Sequence, residues 1–189
     1  MSRQSRFLSL ILRHKPERIG ITLDGAGWVK IDELLRALTT AGRPISREQL
    51  IAIVEENEKR RFTVSKDGAF IRAAQGHSID VDLGLQPRKP PLLLYHGTAR
   101  QSLDEIFAQG LQPMGRGHVH LSCSPTDAAK VGRRHGHAVV LEIMARRMHR
   151  QGYVFTRADN GVWLTEAVPA SFLQFWSGGT SSNSADRSL

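Results

Sequence analysis

Residues 92–122 read LLLYHGTARQSLDEIFAQGLQPMGRGHVHLS, and the organisation of the chain can be worked outward from them. An apolar run, Leu92 to Tyr95, ends in the small polar residues His96, Gly97 and Thr98. This is the layout of a buried strand that delivers an imidazole, bare backbone and a hydroxyl, as a turn, to the lip of a pocket. Leu103, Ile106 and Phe107 follow at helical spacing, and Gly110 offers a left-handed helix end. His118, Val119, His120, Leu121 and Ser122 then alternate, so a strand would aim His118, His120 and Ser122 to one face. Two polar strand ends around one helix predict the halves of a ligand cleft.

Upstream, Phe7, Leu8, Leu10, Ile11 and Leu12 predict a short helix that must stop before Pro16 and ends in the basic residues Arg13, His14 and Lys15. Trp28 to Ile31 reads as a short strand, and Asp32 as the cap of a second helix carrying Leu34, Leu35 and Leu38. Ser46 with Gln49 is a capping box for a third helix through Leu50, Ile51, Ile53 and Val54. Phe62–Ser65 and Ala69–Ala73 flank Lys66-Asp67-Gly68, a hairpin signal. Three helices and a hairpin form the winged-helix pattern, expected over residues 1–85. Pro87, Pro90 and Pro91 predict a linker at 86–91.

The remainder, 92–177, mixes helix and strand signals, so the fold class is α+β. Ser124 caps a helix with Pro125 at its first position, and Ala138–Ile143 reads as a strand. Ala145–Arg150 reads as a helix, Tyr153–Phe155 as a strand, and Asn160-Gly161 as a tight turn before Val162-Trp163-Leu164. Residues 178–189 are rich in Gly, Ser, Asn and Asp, and disorder is expected there.

The charge narrows the class of partner. The chain carries +8, with 16 Lys and Arg against 11 Asp and Glu in residues 1–90 and 10 against 7 in residues 91–189. Such a surface suits a polyanion or a phosphorylated ligand. A single cysteine, Cys123, excludes an internal disulfide framework and fits a reducing compartment. With no apolar run of membrane-spanning length and no signal-peptide core, the cytoplasm is the default. Nothing suggests a coiled coil, and a monomer is favoured.

The residues leave several chemistries open. His118, His120 and Cys123, with His96, are zinc-ligand types, but without neighbouring acids or an HExxH pattern. Cys123 has no feature of a poised thiolate. Arg13, His14, Arg61 and Arg116 lie at element ends or turns, where guanidiniums can converge on phosphate oxygens. Neither a GxxxxGK[ST] loop nor a GxGxxG turn is present. A basic helical module beside a phosphate or nucleotide cleft is as far as this takes the reading.

Several strings, in order, resemble the RNA 2′-phosphotransferase family, best known as the tRNA 2′-phosphotransferases. They are FLSLILRHKPERIGITLD, GWVKIDELL, KRRF, IRAAQGHS, LYHGT, LDEIFAQGL, HVHLS, VGRRHGHAVVLEI and GVWLTEAVP. The resemblance implies a winged-helix lobe joined to an ADP-ribosyltransferase-like lobe that holds NAD. It implies metal-free removal of an internal RNA 2′-phosphate by way of a 2′-phospho-ADP-ribosylated RNA. The products would be 2′-hydroxyl RNA, nicotinamide and ADP-ribose 1″,2″-cyclic phosphate. By motif, the catalytic residues fall on Arg13, His14, Arg61 and Arg116. NAD contacts fall on His96, Gly97, Thr98, His120 and Ser122, and RNA contacts on Lys15, Gln75 and His77. Related transferases usually carry a glutamate where Val162 stands; a phosphate nucleophile needs no such base and would be repelled by it. His118, His135 and His137 are surface or structural by default. Within the same fold, a transferase that modifies terminal phosphates and stops after one step is the alternative; a non-catalytic nucleic-acid binder is another.

Overall fold

The computed structural model describes residues 2–178, so the tail expected to be disordered lies outside the described residues past Gly178. The described chain is α+β, with antiparallel strands throughout.

The first half is built on α1 (Arg3–Arg13), whose N-terminus is closed by Ser2 Oγ accepting from the Ser5 N–H at 3.1 Å. Its buried stripe of Leu8, Ile11 and Leu12 meets Ile31, Leu34 and Leu38 from α2 (Ile31–Thr40) and Leu50 from α3 (Arg47–Glu55). The capping box of Ser46 and Gln49 is formed at α3. Asp32 does not cap α2: Lys30 holds that position and Asp32 lies in the first turn, where its carboxylate pairs with Arg47 at 2.9 Å. Strands β1 (Val29–Lys30), β2 (Phe62–Val64) and β3 (Phe70–Ala73) make a small sheet in the order β1-β3-β2. Their apolar sides close the core over the helices.

The second half holds two three-stranded sheets. One orders β4 (Leu94–Ala99), β6 (Ala138–Ile143) and β9 (Leu173–Phe175) as β4-β6-β9. The other orders β5 (Val119–Leu121), β8 (Trp163–Thr165) and β7 (Thr156–Arg157) as β5-β8-β7. Tyr95 and Ser122 stitch them together by exchanging two backbone hydrogen bonds of 2.8 Å. Between and around the sheets lie α4 (Leu103–Gln109), α5 (Pro125–Gly132) and α6 (Ala145–Arg150), over a core of Leu94, Leu121, Leu141, Ile143, Met148 and Phe155.

Three local expectations are corrected here. His96, Gly97 and Thr98 form strand, not turn, because they pair in register with Leu141, Val140 and Val139 of β6. Gly97 is required by packing: a Cβ there would lie 1.7 Å from the Ala128 carbonyl oxygen, so α5 sits directly on bare strand backbone. Tyr153–Phe155 is not a strand; the Tyr153 N–H closes α6 onto the Met148 carbonyl at 3.2 Å, and pairing begins at Thr156. Gly110 ends α4 with φ 80° but ψ −179°, an extended exit, and a Cβ would meet the Val168 carbonyl oxygen at 2.3 Å.

The two halves are tied together beside the site. Arg72, buried against the Trp28 ring, donates to Asp159 at 3.2 Å and to the Ala26 and Leu83 carbonyls. Thr63 Oγ1 donates to the same Asp159 oxygen at 3.0 Å. Segment 86–91 is held on the second half, the Arg88 N–H donating to Phe155 at 2.7 Å and Arg146 Nε to the Pro90 carbonyl at 2.8 Å.

Candidate active site

The end of α1 delivers the first functional pair. The helix stops at Arg13, and His14 caps it with non-helical dihedrals ahead of Pro16. The Ser78 N–H donates to the Arg13 carbonyl at 3.0 Å, and Ser78 Oγ lies 2.9 Å from His14 Nδ1, so the turn after β3 clamps both residues. Arg13 runs inward. Its Nη2 reaches the Arg61 carbonyl at 3.5 Å and its buried Nε has no partner among the described residues. Gly76, at φ +87°, lies flat against the guanidinium: a Cβ there would come within 3.6 Å of Nη1.

Arg61 arrives from the other side, after α3. Its Nη1 donates to Asn57 Oδ1 at 2.8 Å. Arg116 comes from the second half, on a turn that places Met114 and Gly115 at φ 50° and 70°. The Gly117 N–H donates to the His77 carbonyl at 3.4 Å, which locks this turn to the one that clamps Arg13.

Three guanidiniums therefore converge from three separate segments. Burial, then the charges of Arg61 and Arg116, pull Arg13 down to a pKa of about 10, still protonated at neutral pH. Arg61 is lowered by burial and by Arg134. His14 is lowered by burial, Arg13 and Arg116, so its neutral form is favoured. Among the described residues the ion pairs are Arg47–Asp32, Arg72–Asp159 and Lys130–Asp127, and none neutralises this cluster. An uncompensated, partly buried positive patch is a ready receptor for a dianion.

Beside it lie the residues of β4 and β5. His120 is brought down to about pKa 3, first by burial and then by Arg116, Arg13, His118 and His96, so it is neutral. Its carbonyl lies 3.1 Å from His96 Nδ1. Thr98 is buried on β4, and Ser122 half-buried at the seam between the sheets. Gly97 can offer only backbone, since α5 covers its α-carbon.

The remaining candidates differ in placement, with His77 next to the cluster. His77 is buried, not surface-displayed; its ring hydrogen-bonds to the Leu12 backbone, its Nε2 has no partner among the described residues, and burial with Arg13, His14 and Arg72 lowers it to about pKa 4. Gln75 is half-buried and Lys15 exposed. His118 is exposed, outside β5, and lines a separate cavity of about 470 Å³ with Tyr153 and Glu166. Cys123 is exposed and accepts the Trp163 indole N–H at 3.2 Å. Among the described residues, His, Cys, Asp and Glu do not gather in threes able to hold a metal ion. Sequence reasoning missed Ser78 and Asn57. Ser78 closes the recognised QGHS string, but Asn57 opens a run of charges, NEKRR, that reads as solvated surface.

Comparison with known proteins gives the same direction. The family described as "RNA 2'-phosphotransferase, Tpt1 / KptA family" matches residues 1–167. The chain belongs to the RNA 2′-phosphotransferase family. A protein of Pseudomonas aeruginosa named "Probable RNA 2'-phosphotransferase" is 53% identical over 171 residues, 90% of this chain and 94% of its own. Proteins of the same name from Pectobacterium carotovorum and Acaryochloris marina are 50% and 52% identical, over 89% of this chain and 91% and 93% of theirs. The family match spans Arg13, His14, Arg61, His96, Arg116 and His120. Among the described residues of this family member, no helix is long and apolar enough to cross a membrane.

Proposed function

We propose that the chain is an NAD-dependent RNA 2′-phosphotransferase, with the first half as a winged-helix RNA-binding lobe and the second as an ADP-ribosyltransferase-like lobe. The observation that carries this reading is the convergence of Arg61 and Arg116 on Arg13 without an acidic partner among the described residues. A phosphomonoester of charge about −1.5 to −2 at neutral pH is the ligand such a cluster fits. Arg13 and Arg61 are half-buried and Arg116 is exposed, so direct guanidinium contacts would carry the recognition.

The donor set next to the cluster fits NAD. The His96 ring and the neutral His120, with the hydroxyls of Thr98 and Ser122, supply hydrogen-bonding groups suited to ribose hydroxyls and a carboxamide. His96, Thr98, His120 and Ser122 would hold it, with Gly97 contributing backbone. When bound, NAD supplies an electrophilic ribose carbon whose nicotinamide departs.

The residues' own tasks follow from their placement. The three arginines orient the RNA 2′-phosphate and hold its negative oxygens while bonds to phosphorus and from it are exchanged. Burial, and then the charges of Arg13 and Arg116, lower the His14 pKa in the free protein. A bound dianion reverses that field, so His14 takes up a proton and donates it to the RNA 2′-oxygen as the P–O bond breaks. The phosphate leaves as ADP-ribose 1″,2″-cyclic phosphate, and the RNA keeps a 2′-hydroxyl.

The test uses an RNA radiolabelled in one internal 2′-phosphate. The label should leave the RNA only with NAD present and appear in the ADP-ribose cyclic phosphate. Release as inorganic phosphate, or loss without NAD, would refute the reading.

A further inference from the structure

Arg61 lies in a stretch without helix or strand, between α3 and β2, yet its guanidinium is held firmly. The hold comes from Asn57, which is only 8% exposed. Asn57 Oδ1 accepts Arg61 Nη1–H at 2.8 Å and the Lys59 N–H at 3.3 Å, while Asn57 Nδ2 donates to Ser5 Oγ at 3.2 Å. Ser5 is 5% exposed, on the buried face of α1. Arg60 takes a left-handed φ of 41° and donates its N–H to the Asn57 carbonyl at 2.7 Å, a tight reversal that points Arg61 back at Asn57. The amide orientation is forced: Arg61 and Lys59 offer only donors, so the oxygen must face them.

The geometry points to Asn57 as a positioning residue for Arg61, anchored through Ser5 to the helix that carries Arg13. This rests on Arg61 being a ligand of the RNA 2′-phosphate. Ser5 and Arg13 share α1, eight residues and about 12 Å apart along its axis. Both guanidiniums are thereby referenced to one rigid element. The residue type also makes sense. An amide oxygen accepts from Arg61 without charge, whereas a carboxylate there would pair with the guanidinium and cancel the field meant for phosphate.

The experiment compares affinities, without NAD, for a short RNA carrying one internal 2′-phosphate and for the same RNA without it. The ratio of the two affinities reports recognition of the phosphate, and thermal melts report folding. Asn57→Ala should lower the ratio about ten-fold, the scale of one charge-assisted hydrogen bond. Asn57→Asp should preserve the melting temperature and still lower the ratio, which a packing role alone would not do. Ser5→Ala should lower it about two- to three-fold, as a lost neutral tether. In an Arg61→Ala background, Asn57→Ala should change nothing further. If Asn57→Ala does not fold, Asn57→Asp and Ser5→Ala decide. Wild-type ratios in the Asn57 variants, or additive losses with Arg61→Ala, would overturn the inference while leaving Arg61's role intact. A wild-type ratio in Arg61→Ala itself would overturn the functional reading beneath it.

Discussion

Replacing Gly97 by alanine should break the second half of the molecule for a purely steric reason. The backbone at Gly97 is not in the left-handed region, so alanine meets no dihedral penalty there. The added Cβ would stand 1.7 Å from the Ala128 carbonyl oxygen, 2.5 Å from its carbon and 2.9 Å from Gly132 N. All three are backbone atoms of α5, so no side-chain rotation relieves them. Restoring an ordinary contact requires α5 to move off β4 by about 1.7 Å. Overpacking that side chains can absorb costs about 1–3 kcal/mol. Here a paired strand and a helix must separate, so the loss should be about 4 kcal/mol or more. For a chain of this size that is at least about 8 °C in Tm, measured by circular dichroism. Gly132→Ala, whose Cβ would meet Thr98 O at 2.9 Å, should cost less. Gly25→Ala, with open space around it, should melt within about 2 °C of the parent protein. A Gly97→Ala protein that melts as the parent does would refute the β4–α5 contact.

Other outcomes follow from the same geometry. His120 has a folded-state pKa of about 3, below its unfolded value, so the unfolded chain binds the proton first as pH falls. Its contribution to stability is therefore present above about pH 6.5 and lost below it. Denaturation at pH 7 and pH 5 should differ by about 2 kcal/mol from this residue, a difference removed in His120→Asn. Arg13→Ala should lower the rate of 2′-phosphate removal by about 10²–10³, and Arg13→Lys should not restore it, because lysine lacks the planar fork. His14 should rise in pKa when 2′-phosphorylated RNA binds, read from its imidazole NMR shifts; no change would remove it as the proton donor. Asp159→Ala should cost about 2 kcal/mol in urea denaturation, between a buried and an exposed pair, because Arg72 is 10% exposed and Asp159 40%. Asp159→Asn should cost less.

Much of the local structure was legible because it is set by short-range chemistry. The capping box at Ser46, the Ser124-Pro125 start of α5 and the Asn160-Gly161 turn each depend on a few neighbouring residues, and each formed. The misread segments depend on partners distant in sequence. His96-Gly97-Thr98 looks like a turn until β6 pairs with it and α5 lands on Gly97. Tyr153–Phe155 has strand composition, yet α6 and Thr165 take up its backbone groups instead. At the site, charge alone indicated an anionic partner, and residue types left zinc open. The resemblance to a family singled out Arg13, His14, Arg61 and Arg116, and the fold brings the charges of Arg61 and Arg116 to bear on Arg13. Asn57 stayed hidden because its burial depends on Ser5, fifty-two residues earlier.

The measurement that bears most directly on the account is nicotinamide release in a single mixture of protein, NAD and a short RNA with one internal 2′-phosphate. One nicotinamide should appear per 2′-phosphate lost, with no release when the RNA lacks that phosphate or when Arg61 is alanine. Release that proceeds without the 2′-phosphate, or phosphate loss with NAD intact, would contradict the claim that the arginine cluster presents the RNA phosphate to NAD.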